Sequence, residues 1–164
     1  MLLAIDPGST MSAYVIIRTE DMYPVAHGKI ENQQMILEIL KFCEANDGTG
    51  EIAIEMIASY GMPVGCEVFD TCVWIGRFVQ SAVDNGIRPR FVYRQSEKLC
   101  ICHSPRANDA TIRQALVDRF APNTPNKGKG TKKEPGWFYG FASDTWSAYA
   151  VGVTFLTLGG DAYE

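Results

Sequence analysis

No apolar run in this sequence approaches the roughly 20 residues that cross a bilayer, and no basic segment precedes the apolar stretch at its N-terminus. The first absence argues against a membrane-spanning helix. The second predicts no signal peptide, so the expected location is the cytoplasm. The five cysteines, Cys43, Cys66, Cys72, Cys100 and Cys102, are odd in number and follow no framework spacing. Reduced thiols are therefore expected rather than a disulfide scaffold. Cys100, Cys102 and His103 lie close together but lack a second ligand pair at a distance suited to zinc. Internal repeats and any sign of a second domain are also missing, and 164 residues make one ordinary domain, 1–164. A hydrophobic content of 46% with 21% charged residues excludes a disordered chain and describes a soluble globular one.

Charge is scarce overall and unevenly placed. The formal net charge is −4, yet residues 88–133 hold eleven Lys and Arg against Glu97, Asp109 and Asp118. The rest of the chain carries four basic and sixteen acidic side chains. A domain polarised in this way can bind a polyanion on one surface while remaining acidic overall. A solvated charged surface is the plainer alternative. Residues 121–136, APNTPNKGKGTKKEPG, have no large apolar side chain but hold four lysines, three prolines and three glycines, which predicts a mobile basic loop inside the domain.

Periodicity supplies the elements. Leu2–Ile5 and Ala13–Ile17 read as two strands of a hairpin, with a third over Val25–Ile30. Met35, Ile36, Ile39, Leu40 and Cys43 recur at helical spacing before the stop signal NDGTG. Glu51–Glu55 is a fourth strand, and Val68, Cys72, Ile75, Val79 and Val83 mark a helix from Glu67 to about Asp84. Phe69, Trp74 and Phe78 fall outside that stripe, so the helix buries two faces or contacts a second copy. Arg90–Tyr93 reads as a fifth strand, Asn108–Phe120 as a helix, and a last helix opens near Ser143 or Asp144. The order βββαβαβαα predicts an α/β fold: a five-stranded mixed sheet, three antiparallel meander strands plus parallel ones, flanked by helices.

Three carboxylates sit at the ends of these elements. Asp6 closes strand one inside DPGST, Glu55 closes strand four inside AIE, and Asp144 opens the last helix. Singly they have plain explanations as turn former, surface residue and helix cap. If strands one and four run side by side in one direction, Asp6 and Glu55 emerge at the same sheet edge, where ligands of open α/β sheets bind. A helix across that edge would add Asp144, and three gathered carboxylates would need divalent cations to neutralise them.

LLAIDPGST, AIE at Ala53–Glu55 and DTWSAYAVGV at Asp144–Val153 together resemble the RuvC family of Holliday-junction resolvases, within the RNase H-like superfamily. The similarity runs over essentially the whole chain, and the GKGTKK loop resembles the short RuvC-like resolvases of bacteriophages, which would place the protein in a bacterial host's cytoplasm. The resemblance implies an RNase H-like sheet, a homodimer, and Mg²⁺-dependent incision of four-way DNA junctions, with Mn²⁺ as a substitute and two ions per site. Asp6, Glu55 and Asp144 match the catalytic, metal-binding acids. The family's further aspartate, in DxxDA, is replaced here by Ser147, whose hydroxyl could hold a metal-bound water but brings no charge.

The residue types suit this chemistry, since Mg²⁺ and Mn²⁺ prefer oxygen ligands and a pair of such ions can activate water and stabilise the leaving oxygen. The expected DNA contacts are Arg94, Lys98, Arg106, Lys127, Lys129, Lys132 and Lys133, with Ser9 and Thr10 bonding a phosphate and Tyr60 stacking on an unpaired base. Ser9 and Thr10 also serve simply as turn residues, and Tyr60 as a packing aromatic. Three alternatives remain open. An ATPase with an acidic phosphate-binding turn would need two such domains around a nucleotide, and no nucleotide is expected. A non-catalytic binder of branched DNA accounts for Ser147. A nuclease of the same fold acting on RNA is the third, because no base-reading motif is present.

Overall fold

The N-terminal run LLAI is fully buried because its strand is the middle one of the sheet. The computed structural model describes residues 1–59, 61 and 63–159. Strand β1 (Leu2–Asp6) pairs antiparallel with β2 (Met11–Ile17) and parallel with β4 (Glu51–Met56). Strand β3 (Pro24–Glu31) extends the meander beyond β2, and β5 (Arg90–Tyr93) adds to β4 in parallel, giving the order β3-β2-β1-β4-β5. A central strand covered on both faces has no use for polar alternation, which explains the unbroken apolar run.

Alternate β1 side chains feed two cores. Leu3 and Ile5 pack with Met35, Ile39 and Phe42 of α1 (Asn32–Ala45) and with Ile75, Phe78 and Ala82 of α2 (Cys66–Asp84). Leu2 and Ala4 pack on the other face with α5 (Ser143–Leu158) and with Ile112, Leu116 and Val117 of α4 (Asp109–Phe120). Helix α5 is buried almost all round from Thr145 to Phe155. Gly152 allows its close approach, since a Cβ there would stand 2.3 Å from Ile17 Cδ1 and 3.0 Å from Ala4 Cβ. Trp137 Nε1 donates to Tyr149 Oη (3.0 Å), which donates to the Met22 carbonyl (2.9 Å). With α5 anchored this way, the position of its first turn is set. Among the described residues no helix is long and apolar enough to cross a membrane.

Two features depart from expectation. A further helix, α3 (Arg94–Cys102), follows β5 without a loop. Its single fully buried residue is a carboxylate, Glu97, so no apolar period announces it. In α2 the expected stripe faces inward at Ile75 and Val79, but Cys72 and Val83 are exposed, and Thr71, Phe78 and Ala82 turn inward instead. Phe78 is buried, while Phe69 and Val73 are 61% and 63% exposed. Residues 121–136, expected as a mobile basic loop, carry no helix or named strand and lie in a hydrogen-bonded knot. Gly130 bridges Pro135, Asn126 Nδ2 donates to the Gly130 carbonyl (2.8 Å), and Phe138 N donates to the Gly128 carbonyl (3.1 Å).

Candidate active site

DPGST is a turn, and its rigidity comes from residues outside it. A Cβ on Gly8 would lie 2.4 Å from the Met11 carbonyl oxygen, so no larger residue fits. Gly8 N donates to Ser12 Oγ (3.2 Å), Ser12 Oγ donates to Asn32 Oδ1 (2.7 Å), and Asn32 Nδ2 donates to the Gly8 carbonyl (2.8 Å). Asn32 N also donates to the Thr10 carbonyl (3.0 Å). Ser12 and Asn32 are both 1% exposed, so this network is out of competition with water. It fixes the chain on leaving Asp6.

Asp6 and Glu55 lie one step beyond the Ile5–Ile54 pair of two parallel strands, so their carboxyls meet at the sheet edge. They share a hydrogen bond. Burial, then the charge of Glu55, pushes the Asp6 carboxyl up to about 8 from its ordinary 3.8, with Asp144 adding to the rise. Burial also raises Glu55, against the opposing charge of Arg94. One proton held between two carboxyls relieves their repulsion.

Behind this pair stands Glu97, fully buried, with its carboxyl raised well above the usual range by burial and by the charge of Glu55. One oxygen accepts from Arg94; the other, Oε1, has no hydrogen-bond partner among the described residues. The second terminal nitrogen of Arg94 donates to Asp109. Arg94, expected to meet phosphate, is thus held by two carboxylates in the protein, with its charge opposing the desolvation of Asp6 and Glu55.

Asp144 sits in the first turn of α5 and pairs with Lys29 of β3. The Lys29 hydrogen bond holds its carboxyl below the ordinary value. Asp144 separates two hollows. One, of about 270 Å³, is lined by Asp6, the turn residues 7–11, Ala13, Lys29 and Asp144. The other, of about 80 Å³, is lined by Arg94, Asp109, Arg113 and Asp144 with Ser147 one turn on.

Among the described residues no group of three His, Cys, Asp or Glu is gathered closely enough to hold a metal ion. The Asp6–Glu55 pair nevertheless fits a hard divalent cation, because it offers carboxylate oxygens whose repulsion a cation can neutralise in place of the shared proton. Asp144, the third expected ligand, faces Lys29 in this arrangement.

The other expected contacts are scattered. Ser9 and Thr10 line the larger hollow beside Asp6. Lys98 is half-buried on α3, Arg106 is exposed between α3 and α4, and Lys127, Lys132 and Lys133 are exposed on the knot. Lys129 is instead tied to the Phe141 carbonyl. Tyr60 lies outside the described residues. Lys29, Glu97, Asp109, Ser12 and Asn32 carry no motif. The i, i+3 spacing of Arg94 and Glu97 is a legible helical ion pair, whereas Lys29 is visible only through strand register.

No protein-family model matches the chain, and no curated protein matches it. Solved structures do. T. thermophilus RuvC in complex with Holliday junction substrate matches with a TM-score of 0.64 at 14% identity, over 96% of this chain and 93% of that one. A second Thermus thermophilus RuvC structure matches with a TM-score of 0.62, also at 14% identity, over 93% of this chain and 91% of the other. Identity this low speaks for architecture alone: the chain has the RNase H-like fold of RuvC.

Proposed function

We propose that the protein is a metal-dependent, structure-selective endonuclease that resolves four-way and other branched DNA junctions by hydrolysing phosphodiester bonds. The observation that carries this reading is the meeting of Asp6 and Glu55 at the ends of adjacent parallel strands, with Asp144 at the same edge, on a RuvC-like fold. Asp6, Glu55 and Asp144 would hold Mg²⁺ or Mn²⁺, which when bound supplies Lewis-acid stabilisation and a more acidic water. Asp6 would serve as a ligand in its deprotonated form, and Arg94, braced by Glu97 and Asp109, would limit the charge left on the pair. Ser147 offers a hydroxyl one turn from Asp144. Ser9 and Thr10 offer hydroxyls to a phosphate beside Asp6, while Lys127, Lys132, Lys133 and Arg106 supply the exposed positive surface for DNA.

The bare face of α2, with Phe69 and Val73 outermost, supports a homodimer, which would pair two sites on the two symmetric strands of a junction. Phe69→Asp with Val73→Asp should then sediment as a monomer, and an unchanged sedimentation coefficient would move the contact elsewhere. On this reading the protein works in the cytoplasm, and a bacteriophage origin would make that the host's.

The test is incubation of the purified protein with labelled four-way junction, replication fork, duplex and RNA–DNA hybrid, with and without Mg²⁺. Paired incisions in the junction that require Mg²⁺ are expected. A second reading, binding of branched DNA without cleavage, is favoured by Ser147 and by the Lys29–Asp144 pair. Retained junction with no incision in Mg²⁺ or Mn²⁺ selects it, and preferential cutting of the hybrid selects a ribonuclease.

A further inference from the structure

Asp6, Ala13 and Lys29 stand in one row across three strands, since Asp6 is in register with Ala13 and Ala13 with Lys29. Directly paired residues project from the same face of a sheet, with Cβ atoms about 5 Å apart. The central position is alanine, buried at 1% exposure, so the residue paired with Lys29 there has only a methyl group to put beside its long side chain. The Lys29 ammonium rests on the Asp144 carboxylate. The same hollow joins Asp6, Lys29 and Asp144. Among the described residues, the only basic side chain lining it is Lys29; Arg94 and Arg113 line the other hollow beside Asp144.

An ammonium and a divalent cation make the same demand of a carboxylate, and one carboxylate does not satisfy both at full strength. We propose that Lys29 is a resident counter-cation of Asp144, a positioning residue that competes with the divalent ion for this ligand and raises the metal concentration at which the site fills. The proposal rests on the metal-dependent reading above and deepens it. It accounts for the dispersal of the three acids, with Asp6 and Glu55 joined to each other and Asp144 joined to Lys29.

The size of the effect follows from exposure. The Lys29 and Asp144 side chains are 47% and 36% exposed, so solvent screens the pair and the contest is worth no more than a strong surface ion pair. Removing the ammonium should tighten metal binding about three- to fivefold. Lys29 is on β3, an edge strand of the sheet, where methionine is readily accommodated.

The experiment is calorimetric titration of Mn²⁺ into DNA-free wild type, Lys29→Met, Lys29→Arg and Asp144→Asn, and into Lys29→Met combined with Asp144→Asn. Lys29→Met should bind Mn²⁺ about three- to fivefold more tightly and Lys29→Arg as wild type, and the gain should vanish when Asp144 is also Asn. Equal affinity of wild type and Lys29→Met overturns the proposal, as does a gain that survives in the Asp144→Asn background. If wild type and every variant fail to take up Mn²⁺, the metal-dependent nuclease reading falls and this inference with it. Mn²⁺ uptake and junction cleavage by wild type, without a gain in Lys29→Met, remove Lys29 from the account and leave the nuclease standing.

Discussion

Asp6 and Glu55 occupy matching positions at the ends of two neighbouring parallel strands and share one hydrogen bond between their carboxyls. Backbone register brings them together, and burial keeps a proton there. That proton makes the site responsive to pH.

The Asp6 carboxyl titrates near 8 in the folded chain against an ordinary 3.8. Between these values the folded protein keeps a proton that the unfolded chain has lost. The Asp6 contribution to metal-free stability is therefore full below 3.8 and disappears as the pH rises through about 8. Thermal melts across this window should show a falling midpoint that flattens in Asp6→Asn. Mn²⁺ requires the proton to leave, so its affinity should rise with pH over the same window. Calorimetry in buffers of different ionisation enthalpy should detect the released proton; identical heats in such buffers would count against a protonated Asp6.

Asp6→Asn, Glu55→Gln and Asp144→Asn should each lower Mg²⁺-dependent junction cleavage by more than about 100-fold. Junction binding should remain, because the exposed basic side chains are untouched. Single-turnover cleavage beside a gel-shift assay separates the two effects. Near wild-type cleavage by any of these variants would release that acid from the chemistry.

Lys127, Lys132 and Lys133 are exposed, whereas Lys129 is engaged with the Phe141 carbonyl. Replacing the exposed three by alanine should weaken binding to all branched substrates and reduce the slope of log K against log salt by up to about 2.7. Lys129→Ala should instead loosen the knot, read as a lower melting midpoint. A salt slope unchanged in the triple variant would place DNA elsewhere.

Ser147 lines the smaller hollow with Asp144, one helical turn away. Ser147→Asp would place a second carboxylate on that face and should lower the Mg²⁺ concentration giving half-maximal cleavage severalfold. Ser147→Ala should stay within about tenfold of wild type, because water can replace a hydroxyl that only holds water. An aspartate variant that needs more metal would mean that this face of α5 does not meet the ions.

Much of the architecture is written in short windows of the chain. LLAI followed by DPGST, EIAIE, and the 3.6-residue spacing of α1 each specify an element through their own neighbours, and each agrees with the structure in type and nearly in length. The carboxylates at the ends of β1 and β4 were legible for the same reason, because an acid at the end of an apolar run shows locally, although β4 continues one residue past Glu55 to Met56. Helix α3 was not, since its buried residue is Glu97 and its stability comes from Arg94, Asp109 and packing against α5 rather than from an apolar stripe. The inward face of α2 was read only in part, at Ile75 and Val79, because apolar residues surround that helix and only tertiary contact selects Thr71, Phe78 and Ala82 over Cys72 and Val83.

The partner of each charged group is a separate matter, because it depends on strand register and on where helices cross the sheet. Lys29 meets Asp144, 115 positions away, through two strand pairings and the seating of α5 by Gly152 and Tyr149. Arg94 faces inward to Glu97 although composition alone would turn it toward DNA. Periodicity and turn chemistry act over a few residues, whereas pairing and burial of charge are long-range, and no local window holds the information that decides them.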